Sequence, residues 1–193
     1  MTLLPALAGR LGLPGLLLAL AACAEPPPEL PVNTRLGGDF TLTDHRGEPF
    51  QLADQRGRVV LMFFGYTHCP DICPATLARV SQVYRNLKEA GDAERVQPLF
   101  ITFDPRRDTP EHLSEYVPWF KANVIGLTGD EEQIRAVAEQ YGVVYLQSAD
   151  DGSGYDFTHS DYVYLLDQQG RVRKLYPSDF DIDEVIHDVQ SLL

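Results

Sequence analysis

Two of the chain's three cysteines, Cys69 and Cys73, lie in the run Gly65-Tyr66-Thr67-His68-Cys69-Pro70-Asp71-Ile72-Cys73-Pro74. Only Pro70, Asp71 and Ile72 separate them. The pair falls where an apolar, strand-like run, Val59 to Phe64, gives way to a helical pattern. On a helix, positions four apart share a face, which brings two sulfurs within reach of a disulfide or a shared metal. A helix N-terminus also favours the thiolate, the form that attacks disulfides and ligates metals, and lowers a cysteine pKa from ~8.5 by a unit or more. On these residues alone a redox switch and half of a soft-metal site both stay open. A purely structural staple would close only a few residues and constrain the unfolded chain little.

A metal site of this kind needs more ligands, and histidine is the natural complement. Of the five histidines, His45 falls in a hairpin turn, His112 in the first turn of a polar helix and His187 on the C-terminal helix. All three read as solvated. His68 adjoins Cys69 but should point elsewhere, because neighbouring side chains diverge. His159, in Phe157-Thr158-His159-Ser160-Asp161, stands just before a strand pattern and is the informative one. Two thiolates and one imidazole form a soft, three-coordinate set that suits Cu(I) and can take Cu(II) with an added ligand. Structural zinc would want a fourth protein ligand, and none is evident.

The elements that must position these residues follow from periodicity and turn chemistry. Asp39 to Asp44 and Pro49 to Leu52 read as a hairpin about His45-Arg46-Gly47-Glu48. Val59 to Phe64 and Val96 to Phe103 read as strands covered on both faces. Helical spacing runs from Ala75 to Ala90 with Gly91 as its stop, in a helix expected to start near Pro74 with Cys69 and Cys73 on its first turn. Thr109 and Pro110 open another helix, and Asp130 to Tyr141 forms a third, ended by Gly142. A short strand is expected over Val124 to Leu127. Val143 to Gln147 and Tyr155 to Thr158 flank a turn-rich segment. Tyr162 to Leu166 and Val172 to Tyr176 form a last hairpin, and Asp181 to Leu193 a closing helix. A βαβ start with a ββα finish predicts an α/β chain with the core plan of a thioredoxin-like domain, entered by the leading hairpin.

The N-terminus reads differently. Residues 1–22 hold one basic residue, Arg10, no acid, and an apolar stretch too short for a comfortable membrane span, as in a signal peptide. The ending Leu20-Ala21-Ala22-Cys23 resembles a bacterial lipoprotein cleavage box, in which Cys23 would be lipidated; an ordinary secretory signal or an uncleaved anchor, with Cys23 incidental, is the alternative. The expected organisation is therefore signal peptide 1–22, lipid anchor and proline-rich tether 23–37, and folded domain 38–193. The domain would be exported, tethered to the cell membrane, and would face the periplasm or extracytoplasmic side, where disulfides can form. Removal of residues 1–22 takes away Arg10 and moves the formal charge from −12 to −13. That charge argues against nucleic acid as a partner.

Three motifs in order make the comparison specific. The cysteine run, then Phe103-Asp104-Pro105-Arg106-Arg107-Asp108-Thr109-Pro110, then His159-Ser160 resemble the Sco/SenC family, membrane-tethered copper chaperones for cytochrome c oxidase assembly. The resemblance runs from about Gly38 to Leu193 and implies a thioredoxin-like fold with an N-terminal β-hairpin extension and an insertion before the final β-hairpin. It implies copper as the bound metal, Cys69, Cys73 and His159 as its ligands, and Asp104 as an acid beside the site. It also implies the copper-site subunit of the oxidase as partner. One departure stands out: many members carry an acid just before the ligand histidine, where this chain has Thr158.

The expected function is delivery of copper to the binuclear site of the oxidase, a carrier rather than an enzyme. The alternative is a thiol–disulfide oxidoreductase in which Cys69 attacks and Cys73 resolves, reducing the acceptor's cysteines. Three intervening residues and Thr158-His159 in place of a proline weigh against general redox work. A peroxidase or a sensor are further classes sharing the fold.

Overall fold

The computed structural model describes residues 30–150, 152 and 154–193. The expected signal peptide, Cys23 and the first part of the tether lie outside the described residues. A seven-stranded sheet forms the centre, in the order β2-β1-β5-β4-β3-β8-β9. Its strands are β1 (Thr41–Asp44), β2 (Pro49–Gln51), β3 (Val59–Gly65), β4 (Val96–Thr102), β5 (Ile125–Thr128), β8 (Tyr162–Leu166) and β9 (Val172–Pro177). Between β5 and β8 the chain forms a separate two-stranded ribbon, β6 (Tyr145–Gln147) and β7 (Phe157–His159). Among the described residues there are also four α-helices: α1 (Ile72–Ala90), α2 (Pro110–Tyr116), α3 (Glu131–Gln140) and α4 (Ile182–Ser191).

The continuous apolar runs became the central strands. Every residue of β3 and β4 is buried, as strands with both faces covered require. β3 lies parallel to β4 and antiparallel to β8. Local signals hold at the helix ends as well. Thr109 caps α2 with Pro110 at its first turn, Asp130 and Gln133 form a reciprocal capping box on α3, and Gly91 closes α1 with φ 90°. This is the expected thioredoxin-like plan, with its leading hairpin and its insertion.

Three details differ from the sequence reading. Helix α1 starts at Ile72, so Cys73 lies in its first turn and Cys69 in the loop ahead of it, rather than both on that turn. Pro74 is tolerated inside the first turn because amides there have no helical partner. His159 ends strand β7 instead of standing in a loop. Residues 30–37, the last part of the expected tether, lie against the domain: Asn33 N–H donates to the Val172 carbonyl at 2.8 Å, and Gly37 N–H to that of Gln140 at 2.9 Å. Among the described residues, no helix is long and apolar enough to cross a membrane.

Candidate metal centre

β3 and β4 end level, with Gly65 opposite Thr102, and the loops leaving them build the site, the usual location outside the carboxyl ends of parallel strands. From β3 the chain runs through Tyr66, Thr67 and His68 to the half-buried Cys69, then into α1 with Cys73 fully buried. The Cys73 amide donates to Cys69 Sγ at 3.4 Å. That amide is one of the first-turn donors a helix leaves unpaired, so Cys69 sulfur takes a cap's place at the positive end of α1. Asp71, which precedes the helix, makes no side-chain cap.

The approach of Cys73 to the sheet depends on Gly65. A Cβ there would stand 2.8 Å from Cys73 Sγ, 2.9 Å from the Phe100 ring and 3.0 Å from that of Phe63. Only a residue without a side chain lets the sulfur sit over the end of β3.

His159 reaches the pair from the β6–β7 ribbon. Its Nε2 lies 3.8 Å from Cys73 Sγ, while Nδ1 donates to the Ser160 carbonyl at 2.9 Å. A carbonyl only accepts, so Nδ1 carries the proton and Nε2 turns a lone pair toward the sulfurs. The donor atoms of Cys69, Cys73 and His159 all lie within 4.8 Å of one another. All three residues singled out in the sequence are brought together.

An aromatic seat fixes the ribbon. Phe103, just past β4, stacks on Tyr145 of β6 (5.1 Å, 10°) and meets Phe157 of β7 at 5.0 Å. The His159 ring lies 4.8 Å from Phe103 and 6.2 Å, edge-on, from Tyr66. Asp104 completes the fastening. It is 2% exposed and accepts from the Tyr155 hydroxyl at 2.8 Å. Arg107 pairs with its other oxygen, donates to the Tyr155 carbonyl at 2.9 Å and stacks 3.8 Å over the Tyr155 ring. Asp104 thus ties the β4 loop to the segment that leads into the strand carrying His159, while its carboxylate lies outside the cluster of three. The roles of Gly65, Arg107 and Tyr155 escaped the sequence reading, although Arg107 stands inside a motif it had marked.

The two thiols do not share their charge equally. The Cys73 thiol donates to Cys69, and the amides of Cys73 and Asp71 also point at that sulfur, which brings the Cys69 thiol down to about 5 against the opposing effect of burial. The same contact, together with burial, pushes the Cys73 thiol up. The pair therefore presents one thiolate and one retained proton. Such a set can attack a disulfide through Cys69, or take up a soft ion with loss of the second proton.

A thioredoxin-like domain with a two-thiol, one-imidazole centre defines the class. Residues 29–193 match the SCO1/SenC family model, and the chain belongs to that family. It is 40% identical over 154 residues to a mouse protein, the mitochondrial SCO2 homolog, spanning 79% of this chain and 60% of that one. It is 38% identical over 156 residues to a SCO2-like protein of Rickettsia felis, covering 80% of this chain and 75% of the relative. Among solved structures, Bradyrhizobium japonicum ScoI with copper bound superimposes with TM-score 0.75 at 35% identity, over 82% of this chain and 99% of that one.

Proposed function

We propose that this chain carries copper, held by Cys69, Cys73 and His159, and delivers it to the binuclear copper site of a cytochrome c oxidase subunit. The observation that supports this most is the approach of His159 Nε2 to 3.8 Å from Cys73 Sγ, in a fold that has already gathered both thiols. Two sulfurs and one imidazole select soft monovalent copper. Relatives of this family have been solved with copper bound, and the Sco family is one of cytochrome c oxidase assembly proteins. Asp104 acts from beside the ligands by holding the ribbon. Cys23 anchors the domain to the membrane by a lipid, facing the extracytoplasmic side; a SCO1/SenC member of Bacillus anthracis is a lipoprotein. Transfer proceeds by ligand exchange, with acceptor thiolates replacing Cys69, Cys73 and His159 in turn.

Titration of the reduced full chain with Cu(I) against a competing chelator is the test. One tightly bound copper per chain is expected, with affinity falling by more than about 100-fold in His159→Ala, beyond the loss typical of a residue that merely supports a ligand. Weak binding indifferent to that change would sink the reading.

The unequal thiols support a second reading, reduction of the acceptor's disulfide. Cys69 thiolate attacks one acceptor sulfur and expels the other as a thiolate. Cys73 then attacks Cys69 Sγ, releasing the second acceptor thiol and leaving Cys69 and Cys73 oxidised. Turnover of a disulfide substrate unaffected by His159→Ala, without stoichiometric copper binding, would favour it.

A further inference from the structure

A second group of metal-binding side chains lies beside the first. Thr67 directs its hydroxyl to Asp108 Oδ1 at 2.5 Å, and His68 Nδ1 and His112 Nε2 stand 3.1 and 2.9 Å from that same hydroxyl. The donor atoms of His68, Asp108 and His112 all lie within 4.8 Å of one another. The two imidazoles stack, 5.5 Å apart and 27° from parallel. His112 is not the solvated bystander that the sequence suggested: it turns back from α2 onto the loop that holds Cys69.

Asp108 gives the group its character. Its carboxylate is wholly buried, yet Oδ2 accepts only from the Thr67 amide at 2.9 Å and the Thr102 hydroxyl at 2.6 Å. Among the described residues no lysine or arginine pairs with it. Its one ion-pair contact is His68 at 3.8 Å, a cation only when protonated. Buried carboxylates ordinarily have a paired charge or a metal. Two imidazoles and one carboxylate form a borderline donor set, which suits copper, zinc or nickel and gives hard ions too few oxygens. Along the divalent series Cu(II) binds such a set most tightly.

We propose that His68, Asp108 and His112 form a second cation site, separate from the thiol centre, that takes Cu(II). The His68 side chain is 46% exposed and gives the ion a way in, while Asp108 anchors it from beneath. The Thr67 hydroxyl marks the point on which the donor atoms converge. In the ion-free state it gives its proton to Asp108 and accepts from both rings. A bound ion takes that place as Thr67 turns aside, and selects the tautomers that present lone pairs. The hydrogen bond from the Thr67 backbone amide to Asp108 Oδ2 is untouched by that rotation. Because His68 precedes Cys69, the site holds divalent copper one residue from a thiol that prefers the monovalent ion. Its occupancy does not depend on the thiols.

The full chain carrying Cys69→Ser and Cys73→Ser provides the test, since it leaves no thiol at the centre for Cu(II) to oxidise. Titration with Cu(II) alone, followed by electron paramagnetic resonance, should show one ion per chain with coupling to two imidazole nitrogens. In that background His68→Gln and His112→Gln should each weaken binding by more than about 100-fold, more than loss of a supporting residue would. His159→Ala, His45→Gln and His187→Gln should leave it unchanged. Asp108→Asn, which keeps the buried shape, should weaken it as well. Absence of stoichiometric binding overturns the proposal. So does binding that follows His159, His45 or His187, or that survives loss of both His68 and His112. Thermal unfolding of each variant is recorded alongside, and a His112→Gln protein that loses stability while keeping its affinity also overturns it.

Discussion

His159 Nε2 stands 3.8 Å from Cys73 Sγ although the two are 86 positions apart in sequence. The contact is oriented from behind: Nδ1 donates to the Ser160 carbonyl, and the ring rests on Phe103. A histidine so held presents one defined nitrogen, as ligating histidines do when a backbone carbonyl fixes their other ring nitrogen.

The tautomer is the first expectation. In the metal-free protein, nitrogen NMR of the His159 ring should show the proton on Nδ1 and a free Nε2. A ring protonated on Nε2 would mean that the Ser160 bond is not made, and that the lone pair does not face the sulfurs.

The space above Gly65 gives a second. Gly65→Ala sets a methyl 2.8 Å from Cys73 Sγ and 2.9 Å from the Phe100 ring, both in the packed core. Overpacking of this kind costs about 1–3 kcal/mol. In a domain of this size each kcal/mol lowers Tm by roughly 2–4 °C. Copper affinity should fall in the same variant, because Cys73 must move relative to His159. A variant with wild-type Tm and affinity would show that the sulfur does not rest on Gly65.

The fastening of the ribbon gives a third. Tyr155→Phe removes the 2.8 Å hydrogen bond to Asp104 and leaves that buried carboxylate oxygen without its donor. An unsatisfied buried acceptor costs about 1–3 kcal/mol. The loss should be local: amide exchange across Phe157–Ser160 should quicken while β3 and β4 keep their protection. Uniform loss of protection across the sheet would contradict a latch confined to the ribbon.

These features show where the sequence was readable. The Asp130–Gln133 capping box, the Thr109-Pro110 helix start and the buried runs of β3 and β4 are written in neighbouring residues, and periodicity with turn chemistry finds them. Cys69, Cys73 and His159 were legible as types able to ligate a soft metal, and their motifs as a family pattern. The start of α1 was misplaced because Pro74 looks like a first residue, whereas a first turn tolerates proline anywhere. The Tyr155–Asp104 and Cys73–His159 contacts join residues brought together only by β-strand register and the aromatic seat, which no local rule encodes. The same holds for His112, whose turn toward Thr67 depends on where α2 lies against the loop after β3.

The unequal thiols make a final prediction, about pH. In the unfolded chain Cys69 should titrate near its ordinary value of 9, and in the folded, reduced protein it is brought down to about 5 by the Cys73 contact and the amides of Cys73 and Asp71. Between these values the unfolded state holds a proton that the native state has released, so stability should rise with pH across that window. The contribution is fully present above the unfolded value and fades as pH falls toward the folded one. Cys73 works in the opposite sense: its raised pKa should erode stability once the unfolded thiol ionises in alkali. Denaturant midpoints of the reduced wild type and Cys69→Ser, compared from pH 5 to 9, should therefore diverge in favour of the wild type. Alkylation should report the same asymmetry directly, with Cys69 modified in mildly acidic solution while Cys73 stays protected until the protein unfolds. Parallel stability curves, or equal alkylation of both sulfurs, would show that no thiolate resides on Cys69.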